Sequence, residues 1–166
     1  MALVLFSGPA TEPVDTAEAK QHLRVTFNED DVYIQQLVIA ARRYVEEYTR
    51  RALVTQTWDW YSDCGFDKDI FSVPLAPLQS VTHVKYIDND GTEQTLATTV
   101  YTVDANSQPG RIALTYGQYW PGVRDTINNR NIRFIAGYGT AEDVPEDLVH
   151  AIKILISHWY EHREPI

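Results

Sequence analysis

The apolar period of this chain changes at Val54, and the change decides what it can fold into. From Ile34 to Tyr48 the residues Ile34, Leu37, Val38, Ala41, Val45 and Tyr48 recur at helical spacing, the stripe of an amphipathic helix. From Val54 the period is two: Val54, Gln56, Trp58 and Trp60 alternate with Thr55, Thr57, Asp59 and Tyr61, the pattern of a strand with two unlike faces. Val32, Ile39 and Tyr44 widen the helical stripe, so that helix is expected to touch two neighbours. Helices first, a β-rich middle and a closing helix together predict an α+β fold. With 166 residues, 44% of them apolar, the chain can fill the core of one domain.

Local signals divide the sequence further. Residues 1–14 are apolar and then Pro-rich (Pro9, Pro13) and read as an extended arm, followed by a helical part at 15–53, a β-rich part at 54–136 and a C-terminal helix at 144–163. Asp15 can take the backbone N–H near Glu18 and start a short helix ending about Leu23. Asn28 is placed to cap the second helix, with Glu29, Asp30 and Asp31 at its positive end. Further strands are expected near 70–73, 81–87, 93–96, 100–103, 111–116 and 131–136. Asp88-Asn-Asp-Gly91 reads as a hairpin turn, and Pro74 and Pro77 as an interruption or sheet edge. Gly137 and Gly139 permit a sharp turn out of the last strand. Pro145 suits a first helical turn, and Leu148, Ile152, Leu155, Ile156 and Trp159 form the buried stripe that follows. His162 and Arg163 lie at that helix's negative end.

Two surfaces stand out. The second helix pairs Arg42 with Glu46, Arg43 with Glu47, Glu46 with Arg50 and Glu47 with Arg51, each four apart and worth about 0.2–0.5 kcal/mol. This is either a solvated face or a boundary with an identical subunit. The segment 118–129 reads as a long loop with Tyr119 and Trp120 near its start, either pinned to its own body or waiting for a partner.

Charge narrows the function classes. The net charge is −9, from 14 Lys and Arg against 23 Asp and Glu, which disfavours avid nucleic-acid binding because phosphate contacts need cations. One cysteine, Cys64, allows no intrachain disulfide and fits a reducing compartment. The start Met1-Ala-Leu-Val-Leu-Phe-Ser7 lacks the basic residues and length of a signal peptide, and no stretch approaches the ~20 apolar residues of a membrane span.

Catalytic patterns are weak. His158-Trp-Tyr-Glu-His162 matches H-x-x-E-H, in which two histidines one turn apart hold zinc beside a glutamate base. A catalytic zinc of that type needs a third ligand, and only an upstream residue such as His83 or His150 could supply it. Asp88-Asn-Asp-Gly lacks the acidic positions of a calcium loop. Gly137-Tyr-Gly139 is too short to cradle phosphate, and there is no G-x-S-x-G elbow. We expect no catalytic residue, metal or cofactor.

Several segments, in order, resemble one family. They are Thr16-Ala-Glu-Ala-Lys-Gln-His-Leu-Arg24, Asp30-Asp31, Ala40-Ala-Arg-Arg-Tyr-Val-Glu46, Thr49-Arg-Arg-Ala-Leu53 and Thr55-Gln-Thr-Trp58. Trp120-Pro121, Ala136-Gly-Tyr-Gly139, Val144-Pro145 and His158-Trp-Tyr-Glu-His-Arg-Glu164 follow. Their order and spacing are similar to the head–tail connector, or adaptor, proteins of long-tailed bacteriophages. The resemblance implies a non-enzymatic virion protein of the neck, made in the bacterial cytoplasm. It implies a homo-oligomeric ring, usually dodecameric, between the portal and a stopper or tail-completion protein, with DNA passing through the lumen. On that basis Arg42, Arg43, Glu46, Glu47 and Arg50 are expected at a subunit boundary. Tyr119, Trp120 and Arg124 are expected on a tail-side loop, and His162, Arg163 and Glu164 at the portal. A stopper or tail-completion protein is the alternative, and a zinc hydrolase using His158, Glu161 and His162 the remote one.

Overall fold

The computed structural model describes residues 1–63, 66 and 69–162. They divide into two compact units: Met1–Gly8 with Thr55–Gly137, and Pro9–Val54 with Tyr138 onward. The α+β reading holds. Every described strand lies in the first unit and every described α-helix in the second.

In the β-rich unit, β1 (Ala2–Ser7), β2 (Gln56–Ser62), β4 (Leu78–Ile87), β5 (Glu93–Thr95) and β8 (Arg130–Ala136) form an antiparallel sheet in the order β1-β2-β8-β4-β5. A three-stranded sheet runs β3-β7-β6, from β3 (Ile70–Ser72), β6 (Tyr101–Asp104) and β7 (Arg111–Leu114). The expected arm at 1–14 is thus half strand: Ala2 to Ser7 pairs with Tyr61 to Thr57, with a bulge between Leu5 and Ser7.

The period-two reading of 54–61 carries through. Trp58 stands opposite Phe134 and Trp60 opposite Ile132, and directly opposed residues share a face. β8 alternates strictly, with Arg130, Ile132, Phe134 and Ala136 buried and the residues between them half-buried. Phe134, Ile132, Val84, Val73 and Ile112 are fully buried. The turn at 88–91 forms as read. Gly91 has φ 89°, and the Asp88 carboxylate accepts from the backbone of Asp90 and Thr92 and from the Gln94 side chain.

In the helical unit, α1 (Thr16–Leu23), α2 (Asp31–Thr49) and α3 (Glu146–Glu161) surround a core of Val14, Ala19, Ile34, Val38, Ala41, Val45, Leu53, Val54, Val144, Ile152 and Ile156. Burying each large aliphatic side chain contributes about 1.5–3 kcal/mol. Asp15 caps α1 as expected, accepting from the Glu18 N–H at 2.7 Å. α3 follows Pro145, and its predicted stripe meets this core.

At the ends of α2 an expected cap and an expected core residue are both overturned. Asn28 does not cap it: its side-chain oxygen accepts from Lys20 Nζ, and the N-cap residue is Asp30, which accepts from the Tyr160 hydroxyl at 2.6 Å. Tyr48 is not in the core but 82% exposed, because the helix ends at Thr49 and the buried run Ala52-Leu53-Val54 closes that end of the core. No described helix is long and apolar enough to cross a membrane.

Candidate interaction surfaces

The charged face of α2 is split by depth. Arg42 points inward and is buried, its guanidinium held by Glu12 and Glu46, each at 2.6 Å. Burial alone would lower its pKa, but the two carboxylates overcome that and raise it, so it stays a cation. The other oxygen of Glu46 accepts the backbone N–H of Leu53 at 2.9 Å. Arg42 and Glu46 thus tie the arm before α1 and the segment after α2 to the helix. Arg51 donates to the Tyr138 hydroxyl at 2.6 Å instead of reaching Glu47. Arg43, Glu47 and Arg50 are exposed, beside Tyr44 and Tyr48, with Tyr44 edge-on to Trp159 at 5.9 Å.

The loop 118–129 is tied down at Trp120, Arg124 and Asn128, with exposed side chains between. Trp120 stacks on Phe66, with ring centres 4.5 Å apart and planes 6° apart, and lies 5.8 Å from Phe71. The buried Arg130 guanidinium lies 4.7 Å from the Phe71 ring and 5.2 Å from Trp60. Such desolvated cation–π contacts are worth up to about 2 kcal/mol. Asn128 N–H donates to the Asp63 carboxylate at 2.7 Å, and Arg124 N–H to the Ile87 carbonyl at 3.0 Å. Tyr119, the Arg124 side chain and Ile127 face water.

The second face of the large sheet holds an ion pair. Asp59 and Arg133 stand opposite each other on β2 and β8 and pair through two hydrogen bonds of 2.8 Å. The Phe6 ring covers that guanidinium at 3.5 Å. Arg133 lowers the Asp59 pKa, against the opposing effect of burial. Folding therefore favours ionised Asp59, so the pair's contribution is fully present above the unfolded value of about 3.9 and is lost as pH falls through the lower folded value. Asp59→Asn is expected to lose less stability than the native chain between neutral pH and strong acid. Urea unfolding at both pH values tests this, and equal losses would contradict it.

The H-x-x-E-H residues have no third ligand among the described residues. His158, Glu161 and His162 are exposed at the end of α3, with the two imidazole rings 4.9 Å apart. Among the described residues no three His, Cys, Asp or Glu side chains are grouped to hold a metal ion. Of the expected portal contacts, His162 lies at the α3 C-terminus; Arg163 and Glu164, like Cys64, fall outside the described residues.

Sequence reasoning missed the outer edge of β1. Leu3, Val4, Leu5 and Phe6 are 37–58% exposed, and their uninterrupted apolar run was the available signal.

Three solved chains are similar in fold. One is from the neck of an empty gene transfer agent particle, computed with C6 symmetry: TM-score 0.87 and 24% identity, covering 100% of this chain and 87% of that one. Another is from the virion of a native gene transfer agent particle, with TM-score 0.85, 23% identity and coverage of 100% and 87%. A third is from the neck of a native particle computed with C12 symmetry, with TM-score 0.83, 24% identity and coverage of 100% and 86%. No curated protein matches the sequence. The family model described as "Phage gp6-like head-tail connector protein" matches residues 15–109, more than half of the chain. The chain therefore belongs to the phage gp6-like head-tail connector family, structural proteins of the junction between head and tail.

Proposed function

We propose that this chain is one subunit of a ring in the neck of a phage-like particle, most simply a dodecamer. The ring would lie beneath the portal and carry the stopper or tail-completion protein on its other side. The observation that carries this reading is the family match across 15–109. The similar neck chains come from assemblies computed with C6 and C12 symmetry, which supports a ring here. In this reading the two compact units serve as one connector domain, and DNA passes through the lumen without sequence-specific contacts. The net charge of −9 is consistent with passage rather than grip.

A ring subunit needs two unlike complementary faces in head-to-tail contact. We assign one of them to α2. Arg43, Glu47 and Arg50, being exposed, reach the neighbour, while Arg42 and Glu46 hold the helix that presents them. Tyr119 and Arg124 of loop 118–129 face the tail, positioned by the stacked Trp120. The segment at His162, Arg163 and Glu164 meets the portal.

Arg43→Glu tests the α2 assignment. An exposed substitution of this kind changes monomer stability by no more than about 0.5 kcal/mol, whereas a reversed charge at a subunit boundary opposes every contact in the ring. Native mass measurement with and without portal should show weakened ring formation at an unchanged monomer melting temperature. Loss of both together, or of neither, overturns the assignment. In the same assay Tyr119→Ala should leave the ring intact and reduce tail joining.

A further inference from the structure

Among the described residues, the sheet edges of the β-rich unit are blunted except at one place. β5 is three residues long and carries Glu93, paired with Lys85. β4 beside it bulges between Leu78 and Ser80 and again between Val81 and His83. In the smaller sheet the outer strands β3 and β6 have three and four residues. Shortness, charge and bulges are how edges avoid unwanted pairing. β1 has six residues, no charge and no proline, and all six are exposed. Its single bulge lies at its end, between Leu5 and Ser7. Val4 lies on the Asp59 side of the sheet, where Phe6 covers Arg133, and Leu3 and Leu5 lie on the side of Trp60 and Trp58. Among the described residues the ladder has no next strand beyond β1.

We infer that the outer edge of β1 receives an extended, uncharged segment of a different neck protein, which adds a sixth strand to the five-stranded sheet. The inference rests on the connector reading above. Main-chain hydrogen bonds supply the attraction, and alternate side chains of the incoming strand pack beside Leu3 and Leu5 on one face and Val4 on the other. The incoming segment is uncharged because β1 carries no counter-ion for a charge desolvated there. A second copy of this chain does not fit. Pairing β1 with another β1 is twofold and closes after two subunits, so it cannot propagate a ring. Pairing β1 with the other edges of a second copy meets strands that are short, charged or bulged.

Amide hydrogen exchange across residues 2–7 tests this, measured on the isolated full chain at low and high concentration and on particles purified from the organism that makes it. The outward amides of β1 should exchange freely in the isolated chain at both concentrations, and about tenfold or more slower in the particle. Unchanged exchange in the particle overturns the inference. Slowing in the isolated chain on concentration overturns it too, since the occupant is then a second copy. Particles that lack the chain altogether overturn the connector reading instead. The double variant Leu3→Lys, Leu5→Lys places two charges on the edge and leaves the backbone ladder to β2. It should keep the melting behaviour of the native chain while tail-joined particles fall about tenfold or more. Normal joining by the folded variant overturns the inference, and if the variant unfolds, the exchange comparison still decides.

Discussion

Phe134→Ala is expected to destabilise the β-rich unit by about 3–5 kcal/mol. Phe134 is fully buried at the middle of β8, the strand between β2 and β4, with Trp58 opposite on one side and Val81 on the other. Truncation removes the ring from a face where neither flanking backbone can move in without breaking its own ladder. The cavity therefore stays open, and its cost adds to the lost transfer energy. A domain of this size has about 5–15 kcal/mol in all, so the variant would forfeit a substantial share of it. Phe134→Leu, which keeps most of the volume, should lose much less. Urea denaturation of the two variants measures the contrast, and similar losses would show that residual volume is not what matters at this site.

Arg42→Ala should be nearly as damaging to the helical unit, at about 3–5 kcal/mol, for an electrostatic reason. The substitution leaves Glu12 and Glu46 without the cation that both of them contact. The cost is that of stranded carboxylates, not the worth of the ion pairs, and this distinction can be tested. Combining Arg42→Met with Glu12→Leu and Glu46→Gln removes all three charges, while the side-chain amide carbonyl introduced at position 46 can still accept from the Leu53 N–H. That triple variant should be more stable than Arg42→Ala alone. If it is equally unstable, the loss comes from geometry and not from stranded charge.

The contrast between these two residues shows what the sequence revealed. The strand that carries Phe134 was legible because strand signals depend only on near neighbours, and the strands β2 to β8 all lie close to where period and turn residues put them. The hairpin at Asp88–Gly91 and the cap at Asp15 are local in the same way. Arg42 was not legible: its spacing to Glu46 suggested a solvated face or a boundary with an identical subunit, and nothing local shows that Glu12, thirty residues earlier, reaches the same guanidinium. α1 and α2 end at Arg24 and Arg50 in left-handed conformations, φ 59° and 55°, where glycine is the usual residue. β1 was read as an arm because an apolar run without alternation takes its identity as a strand only from pairing with β2. The family resemblance was legible from ordered short segments, and the family match bears it out. Which exposed residues meet which partner is a property of other surfaces, and no pattern within one chain encodes it.

The chain enters the β-rich unit, leaves it to build α1 and α2, returns for residues 55–137, and only then supplies α3. During synthesis from the N-terminus, Ile34, Val38 and Val45 must wait for Ile152 and Ile156, which follow only after the whole β-rich segment 55–137 has been made. Contacts so distant along the chain slow folding, and the waiting apolar stripe is a target for aggregation. A nascent chain stalled before residue 138 would carry those helices without their cover, so this protein's most vulnerable moment comes on the ribosome, well before any particle is assembled.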